Sequence, residues 1–183
     1  MSATKLSFVL SFALIYLLYE SYNRQVEPFD FAVTHRRKIN AESNRLFDFL
    51  VLTHVLEKWF PGDARLREAD AKTLGVGKYF GISFEVPLIG KWNAYFATTD
   101  YKRGKLLALE SDDGIINPRF ELRTESYHDK SFLQVTVYLR KSSAVFQYTV
   151  GGFIRSITKR KFEETMGRVE EMYESTEKYR ELT

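Results

Sequence analysis

The feature that most limits how this chain can fold is its last stretch. Apolar residues stand at Val150, Ile154, Ile157, Phe162, Met166, Val169 and Tyr173, mostly at steps of three or four. That is the one-sided stripe of an amphipathic helix. A helix over residues 153–179 would run roughly 40 Å. The step from Ile157 to Phe162 is five, across Thr158, Lys159, Arg160 and Lys161, so the stripe is expected to rotate there or the helix to bend. The other face carries Glu163, Glu164, Arg168, Glu170, Glu171 and Glu174, the composition of a solvated surface. One helix cannot bury such a stripe alone; it needs a second layer, and a sheet is the natural one.

The preceding chain supplies strands. Residues 31–39 alternate, with Phe31, Val33, His35, Arg37 and Ile39 opposite Ala32, Thr34, Arg36 and Lys38, the period of a strand. Asn40 is expected as a helix N-cap before Ala41, followed by Leu46, Phe47 and Leu50 at helical spacing. Thr53 is expected to cap a second short helix that ends at Trp59 and Phe60 and is stopped by Pro61 and Gly62. Residues 63–69 make a weak strand. Over 78–86, Phe80, Ile82, Phe84 and Val86 share one face, and further strands are expected over 91–101 and 106–111. Over 119–126, Phe120, Leu122 and Thr124 oppose Arg119, Glu121, Arg123 and Glu125. Tyr127, His128, Asp129 and Lys130 then turn the chain into 132–140, where Leu133, Val135, Val137 and Leu139 align. The order is strand, two short helices, about six strands at hairpin spacing, and one long helix, which reads as an antiparallel sheet with helices collected on one face, an α+β fold.

At 183 residues, one domain plus a tail is expected. A net charge of +3, with no basic stripe interleaved with aromatics, does not point to nucleic acid. There are no cysteines, which excludes disulfides, thiolate metal sites and cysteine nucleophiles. Fifteen Phe and eleven Tyr are enough to line a large core or a cavity. Residues 6–19 are an uncharged apolar run between Lys5 and Glu20. They read as an uncleaved single-pass membrane anchor of the endomembrane system, with Tyr16, Tyr19 and Tyr22 at the interface. The alternatives are the core of a cleaved signal peptide, hence a secreted protein, and a helix buried in the domain. Residues 23–30, with Pro28, read as a linker, so the expected division is 1–30 for the anchor or signal and linker, and 31–183 for the domain.

Ile39-Asn40-Ala41, Leu46-Phe47, Leu56 and Trp59 resemble the opening of the START-like (SRPBCC) superfamily across its first strand and two small helices. Gly75-Val76-Gly77-Lys78-Tyr79 resembles that superfamily's glycine-marked entry to a strand, and the final helix matches in place and length. The resemblance spans residues 31–179; the N-terminal apolar run departs from cytosolic members. It implies the helix-grip fold, a curved antiparallel sheet gripping the long C-terminal helix with a cavity between them. It also implies either a carrier of hydrophobic ligands or a polyketide cyclase/dehydrase-type enzyme.

The candidate ligand-lining residues are Phe80, Ile82, Phe84, Phe96, Phe120, Leu122, Val135, Val137, Ile154, Ile157 and His35. Together the sheet residues offer more apolar surface than one helix covers, and the open alternatives are a cavity, with space expected around residues 158–162, and a fully packed core. His35 and Arg37 are the one pair able to project inward together. No histidine–carboxylate cluster has metal spacing, no phosphate loop or nucleophile elbow is present, and no catalytic set or cofactor is expected. Asp100 and Glu110 are candidate inward carboxylates, and Tyr95 with His35 would serve the enzyme alternative. Lys159, Arg160 and Lys161 could meet anionic headgroups or form a solvated helix turn. The expected protein is thus a monomer that binds or transfers a hydrophobic small molecule or lipid, membrane-associated through residues 6–19.

Overall fold

The computed structural model describes residues 3–60, 64–86, 90–112, 116–128 and 130–181, and of residues 3–6, 84, 86 and 181 the backbone alone. In chain order the elements are helix α1 (Ala3–Asn23), a 3-10 turn (Pro28–Phe31), strand β1 (Val33–Ile39), helices α2 (Ser43–Leu50) and α3 (Thr53–Trp59), strands β2 (Arg65–Glu68), β3 (Tyr79–Val86), β4 (Gly90–Lys102), β5 (Leu106–Glu110), β6 (Pro118–Tyr127) and β7 (Lys130–Leu139), and helices α4 (Ala144–Tyr148) and α5 (Val150–Glu181). The strands form one sheet in the order β1-β7-β6-β5-β4-β3-β2, antiparallel throughout. Successive hairpins build it from β2 to β7, and β1 docks beside β7.

Register aligns the apolar face across the strands. Val33 pairs with Val137, Val137 with Phe120, and Phe120 with Leu109. One step along, His35 pairs with Val135, Val135 with Leu122, and Leu122 with Leu107. These rows face α2, α3 and α5, which bury Leu46, Phe47, Leu50, Val55, Leu56, Trp59, Phe162, Met166 and Val169 completely. The indole N–H of Trp59 donates to the Leu50 carbonyl at 3.2 Å, so its polar edge is satisfied inside the core. The helix-grip architecture is therefore present: an antiparallel sheet, two short helices after its first strand, and a long C-terminal helix against one face.

Helix α5 runs without interruption for 32 residues. The five-residue step in its stripe is filled by Thr158, which is buried. Ile154, Thr158, Phe162, Met166, Val169 and Tyr173 continue the helical spacing, so the expected slip is a polar residue seated in an apolar position.

Other differences are local. Asn40 is not a cap: α2 begins at Ser43 after Glu42, which makes no side-chain cap bond. Thr53 lies inside α3, whose N-cap is Leu52, and its hydroxyl donates to Glu68 at 2.8 Å, tying α3 to β2. Residues 28–31 coil into the 3-10 turn because Pro28 sits at its start and Glu27 accepts from the Phe29 N–H. The short α4 was not anticipated; Ser143 caps it. Pro61, Gly62 and Asp129 lie outside the described residues.

The N-terminal expectation is corrected. Among the described residues, no helix is long and apolar enough to cross a membrane. The fourteen uncharged residues between Lys5 and Glu20 make about 21 Å of helix, short of the roughly 30 Å of a bilayer core. Nor is α1 a helix of the core, since Phe8, Leu10, Ile15 and Tyr19 are exposed. The chain after α1 joins the domain through backbone bonds from Val26 to Ser142 (2.7 Å) and from Ala144 to Arg24 (2.9 Å).

Candidate functional site

Most of the anticipated lining residues lie where alternation places them, on the inner face of the sheet. Phe80, Ile82, Phe96, Phe120, Leu122 and Val135 expose no more than 1% of their surface, and Val137 exposes 8%. The side chain of Phe84 lies outside the described residues; its backbone pairs with Trp92. What fills the middle of this face is mainly α3 and its last residues. Phe120 is packed by Trp59 at 5.1 Å, Phe60 at 4.7 Å and Phe162 at 6.3 Å between ring centroids, and Phe60 meets Phe96 edge-on at 5.8 Å. Sequence reasoning assigned Trp59 and Phe60 to a helix end and missed this role, although two adjacent bulky aromatics at a helix terminus are its signal. Around residues 158–162, where space was expected, Thr158 is buried and Phe162 fully so.

The opposite end of the helix is different. Antiparallel pairing brings the ends of β3, β5 and β7 and the starts of β1, β2, β4 and β6 to one end of the sheet. Helix α5 follows β1 from that end: Arg155 stacks over the Phe31 ring at 5.0 Å, and fifteen residues later Glu170 accepts from Arg37 at 2.7 Å. Its first turns thus lie at the end where β1 starts. There, Val150 is 48% and Phe153 46% exposed, and Ile154 and Ile157 are half-buried. Inward residues of the same end, Val33 and Trp92, are also only partly covered while packing against the core. Val33, Trp92 and Phe153 were not anticipated as members of this group.

Of the inward polar residues, Arg37 is satisfied by Glu170. His35 is half-buried and its Nε2 has no hydrogen-bond partner. Burial, and then the positive charge of Arg37, hold its pKa below the usual histidine value, against a weaker opposing pull from Glu163. A largely neutral imidazole with a free nitrogen can accept or donate one hydrogen bond.

The other candidates for chemistry face away. Tyr95 lies on the outer face and is 72% exposed. A bulge between Thr98 and Asp100 shifts the β4 register and turns Asp100 outward. There Asp100, Glu110 and Glu121 surround Arg119, at 2.9 Å for Asp100 and 2.7 Å for Glu121. Burial opposes the Arg119 charge, but hydrogen bonds to Glu110, Asp100 and Glu121 raise its pKa above the ordinary value. Glu121, despite burial, is lowered by the bonds it accepts from Arg119 and Arg123. Tyr138 donates to Glu121 at 3.1 Å and lies under Phe29. Every carboxylate here is paired with a cation, as a structural network requires. His54 and His128 are exposed. Among the described residues there is no group of three or more histidine or carboxylate side chains able to hold a metal.

No protein-family model and no curated protein matches the sequence. Solved structures share the fold. A protein of Arthrobacter aurescens solved by NMR superposes with a TM-score of 0.60 at 12% identity, covering 80% of this chain and 90% of its own. A protein of Thermus thermophilus, TTHA0849, gives 0.58 at 12% identity, with 76% and 94% covered. Ara h 8.0201 gives 0.54 at 13% identity, with 75% and 96% covered. At these identities the likenesses show the fold alone, the helix-grip fold.

Proposed function

We propose that this protein binds a hydrophobic, lipid-like molecule between the inner face of the sheet and the first half of α5. One observation carries the reading: α5 presents an apolar stripe on both sides of Thr158, yet only its second half is sealed. Val150, Phe153, Ile154 and Ile157 stay partly open at the end of the sheet that also carries Val33, Val137 and Trp92. An apolar surface at the mouth of a fold is what a hydrophobic ligand would cover. Phe80, Ile82, Phe96, Phe120, Leu122 and Val135, buried on the same inner face, would form the wall behind it. The unpartnered Nε2 of His35 would bond a polar group of the ligand, giving one orienting contact in an apolar site. The START-like superfamily has members that bind hydrophobic ligands, which agrees with this use of the fold.

The test is mass spectrometry of organic extracts from the purified full-length protein, together with fluorescence titration of an apolar probe. Because α1 also exposes apolar side chains, only the signal removed by Ile157→Trp counts as the site. The reading expects Ile157→Trp to abolish that signal at little cost in stability, because it occupies open space. If the variant instead loses about 1–3 kcal/mol by overpacking and changes no binding, the region is ordinary core and the reading fails.

A further inference from the structure

A second feature lies outside the domain core, on α1. Every side chain described there, from Ser7 to Asn23, is exposed, and the large apolar ones each leave 56–67% of their surface open. The helix meets the domain at α4. The chain after it is fastened by the antiparallel bridge of Gln25 with Ser143 and the backbone bonds beside it. A helix apolar on all sides is expected to be covered. Among the described residues nothing covers this one.

The sides of α1 differ in chemistry rather than in hydrophobicity. Phe8, Phe12, Ile15, Tyr19 and Tyr22 follow steps of four, three, four and three, the spacing of a coiled-coil seam. At 3.6 residues per turn they fall within an arc of about 80°. Phe8 and Phe12 already touch along it, their ring centroids 4.9 Å apart. Of the aromatic residues of α1 only Tyr16 stands beside this seam, and Leu10 and Leu17 lie opposite it. Aromatic side chains are what protein interfaces gather. The seam also continues past Glu20 and Ser21 to Tyr22, beyond the uncharged run. Helix pairing gives that continuation a use, and hydrophobicity alone does not.

We propose that α1 pairs with α1 of a second copy of this chain, seam to seam, making the protein a dimer rather than the monomer expected from its sequence. A two-fold axis lets one patch serve both copies, so the seam needs no other partner. The area suffices. The seam with its flanks Val9, Tyr16 and Leu18 exposes roughly 900 Å² per chain, against the roughly 800 Å² per partner of a standard stable interface. A lipid surface is the other covering for such a helix, but it would take both sides of α1 alike and give the seam no role. The proposal is independent of the apolar ligand site.

The experiment is sedimentation velocity of the full chain over a range of protein concentrations, without detergent or lipid. A reversible dimer is expected. Phe12→Glu and Tyr19→Glu should each raise its dissociation constant about tenfold or more. Leu17→Glu, at an equally exposed apolar position on the other side, should leave it unchanged. All three positions lie outside the core, and a thermal melt of each variant verifies that the domain stays folded. A chain that is monomeric at every concentration overturns the proposal. So does an equal loss in Leu17→Glu, or a ladder of larger species, because either reduces the seam to unspecific clustering of an apolar helix. Flotation with phosphatidylcholine vesicles completes the test. A monomer that floats with the vesicles overturns the proposal in favour of a lipid surface, and a dimer that stays in the soluble fraction supports it.

Discussion

The two halves of α5 obey the same sequence rule and meet different fates. In the second half Phe162, Met166 and Val169 are fully buried and Tyr173 is 5% exposed. In the first half Val150 and Phe153 are nearly half exposed. The difference lies in the neighbours. The second half is held between the sheet and a wall of short helices, with Phe60 and Trp59 reaching Phe120 beside Phe162 and Phe49 meeting Tyr173 edge-on at 5.4 Å. The first half follows the start of β1 and the short α4, held through Arg155, which donates to the Gln147 side chain at 2.6 Å. An amphipathic stripe thus marks what a helix is able to bury. The layer opposite decides what it does bury.

Truncation at the sealed half should break the comparison most visibly. Phe162→Ala should cost about 3–5 kcal/mol, because it empties a fully enclosed ring site. Urea unfolding would measure this, and a loss below that of Ile157→Ala would overturn the contrast between the halves. Ile157→Ala, at a half-buried position, should cost less than about 2 kcal/mol while removing apolar-probe binding. A variant that keeps full probe binding would move the ligand elsewhere.

Thr158→Val tests the junction of the halves, where a hydroxyl occupies an apolar position. The expected change in stability is within about 1 kcal/mol, since the gain in apolar contact offsets the lost polar group. A much larger loss would show that the hydroxyl anchors the junction.

The smallest effect concerns His35, which senses Glu163 at that same junction. Its folded pKa is lowered from 6.5, so folding favours the neutral ring. Well above pH 6.5 both states are neutral and the residue adds little pH dependence. As pH falls below that value the unfolded chain takes up the proton first, and stability declines. His35→Gln should flatten this part of the stability–pH curve. An unchanged slope would assign the pH dependence to other groups.

How much of the site was legible follows from the range of the signals. Phe80, Ile82, Phe120, Leu122, Val135 and Val137 could be assigned to the inner face because alternation is local and a one-residue slip would reverse every side chain. The outward turn of Asp100 could not, because a bulge costs one residue and leaves no strong mark in the pattern. Thr158 was misread for a related reason: a hydroxyl at an apolar spacing looks like an interruption until its neighbours show it buried. The apolar run at 6–19 was read as a membrane anchor from its hydrophobicity, but its fourteen residues make a helix too short to cross a bilayer.

By itself the sequence determined the order of the strands and of the main helices, the inward face of strands such as β3, β6 and β7, and the single helix able to close the sheet, because these depend on periodicities of two and 3.6 residues. Only the tertiary structure decided that Trp59 and Phe60 fill the centre, that the first half of α5 remains open, and that Lys58, Arg65, Lys161 and Arg168 line one crevice. Those outcomes join residues as much as 110 positions apart (Lys58 and Arg168), and no local pattern records which distant side chains will meet when a sheet closes around a helix.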